Sequence, residues 1–401
     1  MIELAIIAFS FATIILLVAM RKDINIALLT GSIILLAYFA GMNFYRVIAE
    51  TLTDSRTIFL LATSLTISLL AELYRRSGGI TELSRSLASK IRSPRGILIL
   101  IPSVLGLLPI AGGALMSAPI VGAIGENLGM SNELMIFLNV WFRHFLFLFY
   151  PMGQTLIVAS ATMGISPIAL AVLQIPIALF MAIYGLIFTR GYKGDYKSSN
   201  ASSVSLWRSG TPMLSAIVAS LALNQLIGNF GIPIGISIGI LLLIYLLKQG
   251  KRDLIASLKS KMVVSLTISS FSIMLLQHSI MSTDASKAIS STINNSSIPT
   301  IVLETVFPGI LSALTSSPIT GIITMAPILS SMHPLSIYEA SLIYTSSYIS
   351  YTVSPTHLCL IYTANYFNRG VTSSYKYMLP AALSVIFFTI IYYFILLPHV
   401  F

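Results

Sequence analysis

Pro109-Ile110-Ala111-Gly112, followed by Ser117-Ala118-Pro119-Ile120, and Pro318-Ile319-Thr320-Gly321, followed by Met325-Ala326-Pro327-Ile328, are two stretches of one chain written in the same way. Each interrupts a strongly apolar run with Pro and Gly, residues that stop a helix. A helix facing lipid has no use for such a break, because hydrocarbon offers the freed backbone groups no partner. Broken helices at membrane depth persist where they are buried in protein or line a cavity. A broken segment that recurs in both halves of a membrane chain points to a transport site.

The composition supplies the membrane. Of 401 residues, 56% are hydrophobic and only 9% charged, with a mean hydropathy of +0.90. A soluble domain carries about 25% charged residues. A net charge of +10 would suit nucleic acid in a soluble protein; in a membrane chain it reads as the excess of Lys and Arg on cytoplasmic loops. No nucleic-acid partner is expected; membrane lipid is. The single cysteine, Cys359, excludes an intrachain disulfide and a CxxC pair. It reads as a small packing residue, and no metal site is expected. There is no HExxH and no phosphate-binding P-loop, so zinc proteolysis and ATP-driven pumping have no support.

Apolar runs of about 18 or more residues mark spans. They fall near 2–20, 24–41, 57–74, 167–189, 211–228, 231–247, 261–280 and 377–400. The first lacks the basic start and cleavage site of a secretory signal and reads as a retained span. Four further apolar regions are interrupted. Segments 97–129 and 299–331 read as re-entrant hairpins. Segments 134–163 and 336–366 read as discontinuous helices, broken near Pro151-Met152-Gly153 and Val353-Ser354-Pro355-Thr356.

Charge counting sets the topology. With the Arg21-Lys22 turn in the cytoplasm, segments 21–23, 75–96, 190–210, 248–261 and 367–376 also fall inside, and they hold 19 of the 23 Lys and Arg. Three lie outside (Arg46, Arg56, Lys287), and Arg143 lies within a membrane segment. Both termini are then outside. The first hairpin enters from the cytoplasm and the second from outside. The expected fold is an all-α, polytopic cell-membrane protein with an inverted-topology repeat. Residues 1–189 form the first repeat, 190–210 a cytoplasmic linker and 211–401 the second repeat.

The side chains that can carry chemistry sit at the breaks. The second tip holds Thr315, Ser316, Ser317, Thr320 and Gly321, whose hydroxyls and freed backbone can ligate a cation or hold an anion; the half-helix starting at Pro318 points its positive end there. The first tip, from Pro109 through Gly112 and Gly113, offers only backbone. Pro and Gly can equally serve a packed kink. Asn139 and Arg143 are four apart on one helix face. A basic residue at membrane depth faces a water-filled cavity or a partner, and the guanidinium fork suits a carboxylate or phosphate. Its other readings are a pair with Glu304 or Glu339, or snorkelling near a helix end. His144 can relay protons or hydrogen-bond a neighbouring helix. The second broken helix adds Ser354, Thr356 and His357 beside Ser346, Ser347, Ser350 and Thr352, which can line a polar path or let helices pack closely. The helix-breaking residues are Pro109, Pro119, Pro151, Gly153, Pro318, Pro327 and Pro355. Gly235-Ile236-Ser237-Ile238-Gly239 matches GxSxG, but in a span it reads with Gly231 as a helix-packing face of the scaffold or a dimer contact, not as a nucleophile elbow.

Gly106 through Leu107-Leu108-Pro109-Ile110-Ala111-Gly112-Gly113-Ala114 to Ala118-Pro119, Asn139-Val140-Trp141-Phe142-Arg143-His144, and Ser354 through Pro355-Thr356-His357 to Phe367 together resemble a family of uncharacterised prokaryotic integral membrane proteins, grouped with the ion transporter superfamily near gluconate, citrate and dicarboxylate permeases. The resemblance covers most of the chain. It implies a homodimer with a scaffold domain, a mobile transport domain and elevator-type alternating access. Two departures stand out. Phe145-Leu146-Phe147-Leu148 replaces the acidic residue expected after the Arg-His pair. Neither tip carries the Ser-Asn-Thr of sodium-coupled carboxylate carriers, so the coupling ion, Na+ or H+, is left open. The expected function is secondary active transport of a small-molecule substrate, an organic anion such as a carboxylate, with no cofactor and no enzymatic activity. A passive channel and a membrane-embedded enzyme are the alternatives. A channel would need a polar path open on both sides, and an enzyme a nucleophile within reach of a base.

Overall fold

Apolar composition drives this chain into helices, and short polar residues start and stop them. Asp54 accepts from the Thr57 amide at 2.9 Å at the head of one long helix. Ser131 and Ser166 cap two others, and Ser336 with Glu339 forms a reciprocal capping box. Each satisfies backbone donors that a helix start leaves free. In the computed structural model, residues 2–20, 22–91, 93–107, 114–192, 206–281, 283–285, 287–288, 291 and 298–396 are described. Among them the fold is all-helical, without a strand.

The first half contains α1 (Ile2–Ala19), α2 (Ile24–Leu35), α3 (Phe44–Thr53), α4 (Ser55–Arg76), α5 (Gly79–Lys90), α6 (Pro94–Gly106), α7 (Ala114–Asn127), α8 (Asn132–Phe149), α9 (Gln154–Met163) and α10 (Pro167–Ile187). The second contains α11 (Leu206–Ile227), α12 (Gly231–Leu246), α13 (Lys251–Leu258), α14 (Lys261–Met281), α15 (Thr300–Thr315), α16 (Pro318–Ser330), α17 (Ile337–Thr352), α18 (Leu358–Tyr366) and α19 (Tyr375–Ile391). Among the described residues, seven helical stretches are long and apolar enough to cross a membrane: Ile24–Thr53, Ser55–Arg76, Asn132–Met163, Pro167–Ile187, Leu206–Leu246, Lys261–Met281 and Val371–Phe394. Short apolar helices cover Ile2–Val18, Pro94–Gly106, Thr300–Thr315 and Pro318–Ser330. This is a membrane protein by the length and apolarity of its helices.

The helix pairings recur. α6 and α7 both pack against α8, as α15 and α16 both pack against α17. α8 packs against α10 as α17 does against α19. The pairing also crosses the chain: α7 packs against α18, and α16 against α9.

Contacts also join segments between helices. Arg95 donates to the Arg190 and Tyr192 carbonyls, Arg76 to Ala256, Arg208 to Leu246, and Arg369 pairs with Glu133 at 3.2 Å. Ser55, Arg56, Gly164 and Asn229 line one cleft, and Arg46, Glu50, Asp284 and Lys287 line another of about 570 Å³.

Several sequence expectations change. Pro119 lies inside α7 and Pro327 inside α16, so neither breaks a helix. A proline removes one backbone donor, and a helix whose other bonds and packing persist carries on through it; Pro102, Pro176, Pro212, Pro308 and Pro380 are likewise internal. Pro318 is the first residue of α16, where its missing N–H would be unpaired anyway. The helices α3, α5 and α13 went unseen because they are amphipathic rather than uniformly apolar. The linker expected over 190–210 falls mostly outside the described residues, and α11 begins within it. The glycine face of α12 is no dimer contact: a Cβ on Gly231, Gly235 or Gly239 would collide with α11 of the same chain.

Gly235→Leu drives a side chain into the Ser220 backbone. It is expected to cost about 1–3 kcal/mol, the usual range for overpacking, read as a lower unfolding midpoint of the purified protein; an unchanged midpoint would show that this helix pair tolerates separation.

Candidate functional site

α8 stops at Phe149 and α9 starts at Gln154, with Pro151 and Gly153 between them. α17 stops at Thr352 and α18 starts at Leu358, with Ser354, Pro355, Thr356 and His357 between them. α8 packs against both α17 and α18, which joins the two interrupted helices. Carbonyls in the last turns of α8, the Leu148 one left free by the helix end, find partners across that contact. The Tyr344 hydroxyl donates to the Leu148 carbonyl at 2.9 Å, and the Tyr348 hydroxyl to the His144 carbonyl at 3.3 Å. These tyrosines are four apart on one helix face, which is the signal that could have singled them out.

Arg143 is buried, 4% exposed. Its Nη1 has no hydrogen-bond partner, and among the described residues no carboxylate pairs with it. The pair with Glu304 or Glu339 is therefore not formed. Glu339 caps α17 and faces His333 at 3.5 Å; Glu304 is buried beside Glu339. Burial also removes the snorkelling alternative. A Cβ on Gly106 would collide with the Arg143 carbonyl, so glycine lets α6 lie directly on α8 here. Asn139 donates from Nδ2 to the Ala114 carbonyl at 3.2 Å and to Thr363 Oγ1 at 2.9 Å. It ties α8 to α7 and α18, while its Oδ1 is buried without a partner. Pro109, Gly112 and Gly113 of the first tip lie outside the described residues; Gly106 and Ala114, on either side of that tip, meet Arg143 and Asn139.

The second tip is a two-residue turn, Ser316-Ser317, with Ser316 in the left-handed region at φ 55°. It meets the second helix break. Ser316 Oγ shares hydrogen bonds with Thr356 Oγ1 and, at 3.1 Å, with Ser354 Oγ. Ser354 donates to the Ala313 carbonyl at 2.6 Å. Three expected site residues thus form one hydroxyl cluster. Thr315 instead bonds the Leu311 carbonyl within its own helix. Ser317 heads α16 without a side-chain cap. The Thr320 and Ser347 hydroxyls are buried and unpartnered. Gly321 permits close approach to the Pro308 carbonyl and the Ser312 and Ser347 hydroxyls, so some of this hydroxyl row serves helix packing.

The histidines complete the site. His144 and His357 lie with ring centroids 4.9 Å apart. Each holds Nδ1 on a backbone carbonyl, Val140 at 2.7 Å and Thr352 at 3.1 Å. Cys359, in the first turn of α18, joins them: ligand atoms of His144, His357 and Cys359 all lie within 4.8 Å of one another, and all three residues are buried. The sequence reading of Cys359 is a small packing residue, and it is buried; His144, from the other half of the chain, comes beside it and His357 only through the packing of α8 against α18. Arg143 is within electrostatic reach of Cys359, Tyr348 and Tyr351. The His357 amide donates to the Ser354 carbonyl at 3.0 Å, so the imidazole cluster and the hydroxyl cluster share one short loop.

Fold and site together define an all-helical membrane protein with buried polar groups gathered where its helices are interrupted. The chain belongs to the family described as Protein of unknown function (DUF401), whose model matches residues 3–395. Comparison with curated proteins finds no match.

Within the hydroxyl cluster, Ser354 is buried and Thr356 exposed. Ser354→Ala is expected to destabilise by about 1–3 kcal/mol, the cost of stranding a buried partner, and Thr356→Ala by well under about 1 kcal/mol; unfolding midpoints check the order, which equal losses would overturn.

Proposed function

We propose that this protein is a secondary active transporter that moves a small organic anion, such as a carboxylate, across the cell membrane by alternating access coupled to an ion gradient. The observation that carries the reading is Arg143, a buried guanidinium whose Nη1 has no partner and with which no carboxylate among the described residues pairs. A permanent cation in that setting is costly, and an anionic substrate with a planar oxygen pair is the complement that offsets it. The N-termini of α9, α16 and α18 lie at the interruptions, where their positive ends favour negative charge. Ser316, Ser317, Ser354 and Thr356 supply hydrogen bonds to the substrate or ligands to a coupling cation, Na+ or H+.

The architecture we assign is an inverted-topology repeat of residues 1–189 and 211–401. Each repeat has a re-entrant hairpin (97–129, 299–331) and a broken helix (134–163, 336–366). The matched pairings α6–α8 with α15–α17, α7–α8 with α16–α17, and α7–α18 with α9–α16 support it. The grouping of loops supports the orientation: segments assigned to the cytoplasm touch one another, and those assigned outside line shared clefts. Both termini are then outside. On this reading the family belongs with the ion transporter superfamily, and the protein works as a homodimer with a mobile transport domain.

Arg143→Ala should abolish uptake of anionic substrate into proteoliposomes while the protein stays monodisperse, and Arg143→Lys should restore only part of it, because an ammonium lacks the fork. Undiminished uptake by the alanine variant would sink the role. For orientation, a cysteine at position 287 should react with a membrane-impermeant thiol reagent on whole cells and one at position 251 should not; the reverse pattern would overturn the assignment.

A further inference from the structure

We infer that His144, His357 and Cys359 form a binding site for a first-row transition-metal cation of borderline softness, of which Zn2+ is representative.

The inference starts from counting lone pairs. A backbone carbonyl only accepts, so His144 Nδ1, at 2.7 Å from the Val140 carbonyl, and His357 Nδ1, at 3.1 Å from the Thr352 carbonyl, must each carry the ring proton. In the neutral imidazoles both Nε2 atoms are then acceptors. The remaining group is the Cys359 thiol, with one proton. One S–H cannot satisfy two imidazole nitrogens, and His357 Nε2 is in fact buried without a hydrogen-bond partner. His357 has no contact with bulk solvent, and His144 and Cys359 have little.

A single cation satisfies all three at once. The cation displaces the Cys359 thiol proton, which is released to solvent; two neutral imidazoles and the resulting thiolate form a donor set that suits Zn2+ and its neighbours, and the ligand atoms lie within 4.8 Å of one another. Tetrahedral ligands about 2.0–2.3 Å from a common ion are themselves about 3.3–3.8 Å apart, so modest side-chain rotation closes the set. The orienting shell is already present. A metal-bound histidine typically donates its other ring N–H to a carbonyl or carboxylate, which fixes tautomer and ring direction, and both histidines do so. Three protein ligands leave a fourth position open, as in sites that keep water or an exchangeable ligand on the ion. The ion would tie α8 to the loop between α17 and α18. This assignment does not depend on what the protein transports.

The test uses the full-length protein, purified in detergent, stripped by chelator and titrated with Co2+ as the spectroscopic stand-in for Zn2+. Cys359 is the sole cysteine, so a sulfur-to-cobalt charge-transfer band can arise from this residue alone and the unaltered protein decides the outcome. The expected result is one Co2+ per chain with that band, displaced by Zn2+. Cys359→Ser should remove the band, and His357→Gln should weaken affinity by more than about 100-fold, since changes to residues that only orient a ligand already cost 10–100-fold. Absence of saturable binding, or binding without the thiolate band, would overturn the inference. An unaffected Arg143→Ala uptake would count against the transport reading and leave this one standing.

Discussion

Each interruption of a helix in an apolar surround releases N–H and C=O groups that lipid cannot satisfy, and much of this structure is arranged to satisfy them. Hydroxyls do most of this. Tyr344 and Tyr348 donate to carbonyls of α8, and Ser354 donates to Ala313 at the end of α15. These bonds are long-range, so satisfying one interruption brings another element to it. The polar groups therefore collect in one place. The second tip, the second helix break and the end of α8 become neighbours because each supplies what another lacks.

Small residues make that neighbourhood geometrically possible. Gly106 lets α6 lie on α8, Gly321 lets α16 close on α15 and α17, and the Gly231, Gly235 and Gly239 row lets α12 lie on α11. Without a hydrophobic drive between helices in lipid, close packing and interhelical hydrogen bonds must hold them together. Gln174 illustrates the second: it bonds Ser341 and accepts from Thr345 at 2.9 Å, with Tyr393 on Ser341 at 2.5 Å. Against this thorough pairing, the unmatched groups stand out. Arg143 Nη1, Asn139 Oδ1, Thr320 Oγ1, Ser347 Oγ and His357 Nε2 are buried and unpartnered at or beside the interruptions, while Ser209 Oγ, Asn224 Nδ2, Ser257 Oγ, Gln277 Oε1 and Tyr375 OH are unpartnered elsewhere. Of these groups only Arg143 carries a permanent charge, which is why the functional reading is drawn there.

Much of this was legible in the residues. Apolar run length marked the long helices, and Gly153, Pro318 and Pro355 marked real interruptions. Prolines at 119 and 327 misled, because a proline states only that one donor is missing, and neighbouring helices decide whether the helix continues. The hydroxyls of Ser316, Ser354 and Thr356 could be named from their positions beside breaks, but not their convergence. Cys359 could not be recognised at all, since its significance rests on His144, which reaches it only through the packing of α8 against α18.

The sequence by itself determined the helical membrane class, the sites of the two helix breaks and the chemistry available at them. These follow from local apolarity and backbone stereochemistry, which depend on near neighbours in the chain. Tertiary structure alone decided that Arg143 pairs with no carboxylate among the described residues, that the α12 glycines face α11, and that two histidines and the single cysteine meet. Those outcomes depend on which helices lie side by side, and helix pairing is set by shape and hydrogen-bond matching between residues that range from those on neighbouring helices, as for α11 and α12, to those more than 200 positions apart, as for Asn139 and Thr363. The Pro-Ile-x-Gly stretch at Pro318 announced where backbone would need partners; the folded chain shows that the turn before it meets Ser354 and Thr356 of the second helix break.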